Sequence, residues 1–142
     1  MNTILGQETR VIKTRSVEAG VTTTGGHLWP AKFLVGSRWV SPLSAAPWAI
    51  EPLDRSTPEI LKVLRGDFFC MPFGGNATVH RGERHPVHGE TANRRWKAEA
   101  AADNLTLHFS LKTRAAGKGV ELVSRSGKSA RVPLDPTFLA GR

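Results

Sequence analysis

The chain has 142 residues, 39% apolar and 23% charged, which is enough to bury one core and too apolar for a disordered segment. Its net charge is +8, yet the basic residues are scattered from Arg10 to Arg142 and match no RNP-type motif, zinc-finger spacing or basic helix. That pattern argues against a dedicated nucleic-acid binder and favours an anionic small ligand.

No run of about 18 apolar residues is present, and no basic-then-apolar leader opens the sequence, so no membrane partner is expected and the cytoplasm is favoured. The single cysteine excludes an internal disulfide. Residues 1–9 are polar and expected to be loose. Arg10 to Glu18 leans to strand, and Gly20 is expected to end it. Val21 to Thr24 is a second β-branched run. Gly25-Gly26 then turns the chain, and His27 to Val35 returns with Ala31, Phe33 and Val35 on one face. Pro30 inside that run predicts an edge or a bulge. Gly36-Ser37 turns again before a short strand at Arg38-Trp39-Val40. Ser41 to Pro52 carries three prolines and reads as an ordered loop with Trp48 packed down.

Asp54 to Gly66 predicts the one short helix. Ser56 caps it, Glu59 completes a capping box, and Pro58 suits the first turn. Ile60, Leu61, Val63 and Leu64 form its apolar face, and Gly66 stops it. Gly66 to Pro72 has the pattern of a buried strand. Phe73 to Asn76 is a glycine-rich turn that lets backbone approach a ligand. After a turn at Asp103-Asn104, Leu105 to Lys112 alternates without a fault. Leu105, Leu107, Phe109 and Leu111 face a core, while Thr106, His108, Ser110 and Lys112 face out. Val120 to Val123 adds a strand, and beyond Ser124 no periodicity survives. The expected fold is all-β, an antiparallel β-sandwich with one short helix.

The chemistry concentrates between Gly66 and Trp96, which hold three of the five histidines. Loops on a β scaffold are where such side chains meet ligands. His85, His88 and Glu90 lie close together. Pro86 and Gly89, however, break any helical H-E-x-x-H, and the spacing misses the β-barrel pattern G-x5-H-x-H-x3-4-E, so no metal is expected. Cys70 sits in an apolar run, no nucleophile elbow exists, and the thiol reads as a small buried hydrophobe. Two roles for His88 stay open. It satisfies loop backbone, or it does general acid–base work of the kind imidazole suits at neutral pH. In the second case Asn76, Glu90 and Arg94 are candidate contacts to substrate hydroxyls, and Trp96 is a platform for a sugar's C–H face. No cofactor is expected.

The run Arg65-Gly66-Asp67-Phe68-Phe69-Cys70-Met71-Pro72-Phe73-Gly74, followed by His88-Gly89 and Trp96, resembles the N-terminal half of the aldose 1-epimerase (galactose mutarotase-like) superfamily. It is most similar to the hexose-6-phosphate epimerase branch, and the resemblance runs from Val11 to Thr113. It implies that residues 1–116 form the first half of an all-β supersandwich and that 117–142 are an atypical basic tail. The implied ligand is a sugar or sugar phosphate. In the implied reaction a histidine protonates the ring oxygen and a glutamate removes the anomeric proton. His88 matches the first active-site histidine, Arg65 the substrate-binding arginine, and Trp96 the tryptophan that follows, where structural packing and sugar stacking both stay open. The family's second histidine and glutamate base have no match here. The expectation is a truncated member with an incomplete catalytic set, whose open strand edges favour self-association.

Overall fold

The computed structural model describes residues 2–71, 75–76, 78–79, 84–101, 106–112 and 119–125, with backbone alone at 112 and 119–125. Phe73, Gly74, the turn expected at Asp103-Asn104, Leu105 and the tail beyond Arg125 lie outside these residues. The protein is all-β. Its first sheet is a meander of β1 (Asn2–Ile4), β2 (Gln7–Lys13), β3 (Val17–Thr22), β4 (Leu28–Val35) and β5 (Arg38–Val40), in that order. Its second sheet is β6 (Lys97–Ala100), β7 (Thr106–Lys112) and β8 (Gly119–Arg125), also antiparallel. Two short helices lie between the sheets in sequence, α1 (Glu59–Lys62) and α2 (Gly89–Asn93).

The chain start is not loose. β1 pairs with β2 through Asn2↔Thr9, Thr3↔Glu8 and Ile4↔Gln7. The two-residue turn between them, Leu5-Gly6, takes positive φ at both positions, which matches the right-handed twist of the flanking strands. The next turn falls at Thr14, whose Oγ1 accepts from the Ser16 and Val17 amides at 3.2 and 2.9 Å. So β3 begins at Val17 and runs through Gly20 instead of ending there. A Cβ on Gly20 would meet Thr9 Cγ2 at 2.9 Å and Trp29 O at 3.1 Å, so the close approach of β4 requires glycine. The register of β3 against β4 shifts between Ala19 and Val21, opposite Trp29 and Pro30. Pro30 thus sits at a bulge, where its missing amide leaves no gap in the ladder.

The predicted helix at 54–66 shortens to Glu59–Lys62. Ser56 does not cap it; its amide and hydroxyl instead donate to Asp54 Oδ1 in a local turn. After Lys62 the chain leaves the helix because extended pairings take over. Ala46 N donates to Leu64 O at 3.0 Å, and Arg65 bridges Ala45. Gly66 to Met71 is likewise not a strand but a run of single bridges, Asp67 to Leu28 and Met71 to Gly89.

The core forms where the two sheets meet. Ile12 of β2 packs with Leu107, Phe109 and Leu111 of β7 and with Trp96, and Val21 and Ala98 flank them. Each large apolar side chain buried there contributes about 1.5–3 kcal/mol. The predicted inward residues of β7 that the structure describes are therefore inward.

Candidate functional site

The site is assembled from the 65–71 segment, α2 and the 23–28 turn. Thr91, fully buried on α2, holds the first two together. Its hydroxyl donates to Phe69 O and accepts from Met71 N, both at 2.7 Å. Met71 O in turn accepts the first free amides of α2, from Glu90 at 3.0 Å and Thr91 at 3.3 Å. Those amides have no partner within the helix, so an external carbonyl is needed there. Asn93 closes the far side, its Nδ2 donating to Val87 O at 2.7 Å and Gly89 O at 2.8 Å.

These bonds fix His88 at the N-cap of α2 in left-handed backbone, φ 64° and ψ 15°. A non-glycine residue adopts that conformation only when its surroundings impose it. The half-buried imidazole meets Phe68 edge-on, with ring centroids 5.3 Å apart. Its Nδ1 lies 3.5 Å from Cys70 Sγ. Phe68 stacks by its other side on His27, at 4.5 Å and 21° between planes. His27 is fully buried, with Nδ1 3.1 Å from the Arg65 carbonyl. Its Nε2 faces the Ala92 carbonyl without meeting hydrogen-bond geometry.

Burial is the main electrostatic influence here. It lowers the pKa of His27 from 6.5, and the nearby Arg65 charge lowers it further, against an opposing pull from the Arg65 carbonyl. Burial also pushes the Cys70 thiol up, and Asp67 adds to that push. The thiol is therefore protonated at neutral pH and is no activated nucleophile.

His88 caps the N-terminus of α2, and Glu90 and Arg94 pair along its one turn. Arg94 Nη1 donates to Glu90 Oε2 at 2.9 Å, with the carboxylate mostly buried and the guanidinium more open. Asn76 lies on the loop before them. Its Nδ2 donates to Thr78 O at 2.7 Å and its Oδ1 accepts from His85 N at 2.6 Å, so its side chain holds local backbone.

Arg65 and Trp96 are placed differently from the substrate contacts the resemblance implies. Arg65 is 1% exposed. Its guanidinium donates to Ile4 O at 2.7 Å, Leu5 O at 3.0 Å and Val63 O at 2.9 Å, so its donors serve the protein's own backbone. Trp96 is 2% exposed, and its Nε1 donates to Thr91 O at 2.8 Å. Its indole belongs to the core, where no sugar reaches it. Thr91, Asn93, Phe68 and the thiol of Cys70 build the site without a sequence signal that singles them out. Thr91 and Cys70 take their roles from contacts 18 to 22 residues away in the chain, whereas Asn93 bonds locally to Val87 and Gly89.

Among the described residues no group of three or more His, Cys, Asp or Glu converges as a metal site would. No helix among them is long and apolar enough to cross a membrane. No family model matches the chain, and no curated protein or solved structure matches it.

Proposed function

We propose that the chain is a carbohydrate-binding β module of the aldose 1-epimerase type, with His88 meeting the sugar ring. The observation that carries this is the fixed, half-buried imidazole at the N-cap of α2, the helix that the Glu90–Arg94 pair spans. An imidazole N–H is a donor suited to a ring oxygen or hydroxyl. Glu90 and Arg94 are the side chains proposed to meet neighbouring hydroxyls. The resemblance to the superfamily around His88-Gly89 supports the same choice of ligand. The ring opening of that family needs an acid and a base, and no residue of this sequence matches the base. Binding without fast anomer exchange is the expected behaviour.

The test is a calorimetric titration with glucose, galactose and their 6-phosphates, alongside proton NMR of anomer exchange. Saturable binding of at least one sugar, reduced about tenfold or more in His88→Ala, is expected, since a lost hydrogen bond in a polar site costs on the order of 1.5 kcal/mol. No saturation by any of the four would end the proposal. An exchange rate well above buffer, lost in His88→Ala, would show that the chain carries its own base.

A further inference from the structure

We infer that Cys70 is a positioning residue that sets the tautomer of His88: its S–H donates to Nδ1, so the neutral ring carries its proton on Nε2. The contact is 3.5 Å, ordinary for a sulfur hydrogen bond. It does not arise from two mobile side chains meeting by chance. Thr91 bonds to the residues on either side of Cys70, Phe69 and Met71, and so fixes the backbone that presents the thiol. Asn93 bonds to the residues on either side of His88, Val87 and Gly89, and fixes the backbone that presents the ring. Phe68 lies edge-on to the imidazole and limits its rotation.

Two donor–acceptor arrangements satisfy the distance. In one the thiol donates to Nδ1; in the other Nδ1–H donates to sulfur. The first is favoured because burial and the nearby Asp67 carboxylate keep the thiol protonated, so a hydrogen is present on sulfur to donate. A nitrogen lone pair is also a far better acceptor than a thiol sulfur. The chemistry that follows is specific. The ring nitrogen away from Cys70 becomes a hydrogen-bond donor, which is what a sugar oxygen requires. The consequence for sugar rests on the role proposed for His88, whereas the tautomer does not.

Long-range proton–nitrogen NMR of the full chain, without sugar and above the histidine titration range, reads the tautomer directly, with His88→Gln to assign the signals. The expected spectrum has Nε2 in the protonated range and Nδ1 in the unprotonated range. In Cys70→Ala the Nδ1–H form should rise to the ratio seen for the same chain unfolded in urea. In Cys70→Ser, which keeps a donor, the wild-type ratio should return. A wild-type spectrum with Nδ1 protonated overturns the inference whether or not the variants fold. So does a Cys70→Ala spectrum that matches wild type. If the tautomer is as stated and no sugar binds, the function proposed for His88 fails while the hydrogen bond stands.

Discussion

Arg65 shows what a single side chain does for this fold. Leu5 holds a positive φ that a leucine avoids, and the Arg65 fork grips the carbonyls on that turn, Ile4 and Leu5. A substitution to Ala removes three buried donors and leaves those carbonyls without partners, so a loss of about 3 kcal/mol in a urea melt is expected. Arg65→Lys should recover only part of it, because an ammonium cannot span two carbonyls as a planar fork does. If Arg65→Lys instead left the melt untouched and weakened sugar binding, the side chain would be a ligand contact after all.

His27 gives the pH dependence. Above 6.5 the ring is neutral in both folded and unfolded chains and costs nothing. As pH falls below 6.5 the unfolded chain takes up a proton that the buried ring, beside Arg65, resists. The folded pKa is depressed, so stability should fall with pH from 6.5 down to that folded value and then level off. His27→Gln should flatten that slope in melts followed from about pH 8.5 to about pH 4.5, about two units either side of the ordinary histidine value. An equal slope in the variant would place the effect on another group.

At the scale of elements, Gly66 is the joint between α1 and the site. It has φ +53°, and a Cβ there would stand 1.9 Å from the Leu28 carbonyl oxygen. That carbonyl cannot retreat, because Leu28 N is bonded to Asp67 O at 2.7 Å on the same bridge. Gly36 has a similar φ of +61° and open space around it. Gly36→Ala should therefore cost about 1–2 kcal/mol for the left-handed backbone alone. Gly66→Ala should cost about 4 kcal/mol or prevent folding. Equal midpoints for the two variants would show that the Leu28 contact carries no weight.

The same joint shows where the sequence is legible. Strict alternation marked β7, and Gly-Gly and Gly-Ser marked their turns, because those signals are local and have periods of their own. Gly66 has the local pattern of a helix stop, but the helix ends at Lys62. Ala45 and Ala46, some 20 residues back, pull Leu64 and Arg65 into extended pairing, and no local pattern announces that. The site divides in the same way. Glu90 and Arg94 are neighbours in sequence and pair in space. Cys70 reaches His88 only because Thr91 holds its backbone, so that contact was hidden until the chain was folded.

At the scale of the whole molecule, the described residues include an exposed apolar face. Inter-sheet packing falls on β2 and β3, where Ile12 and Val21 meet the second sheet. The β4–β5 hairpin extends past it. Phe33 lies opposite Val40 in register, and Val35 shares their face. Their exposures are 42, 45 and 63%, a contiguous patch at a sheet edge, which is where unpaired strands recruit other chains. The net charge of +8 works against such contact by mutual repulsion. The two effects separate by salt. Raising ionic strength from 0.01 to 1 M shortens the screening length from about 30 to about 3 Å and removes the repulsion without weakening apolar contact. Sedimentation should therefore show reversible association that grows with protein concentration and with salt. The double variant Val35→Lys with Val40→Lys should return the chain to a single monomeric species at every salt concentration. Association that weakens as salt is added would mean ionic contacts hold the copies together, and a monomer throughout would mean that the patch is too small to act.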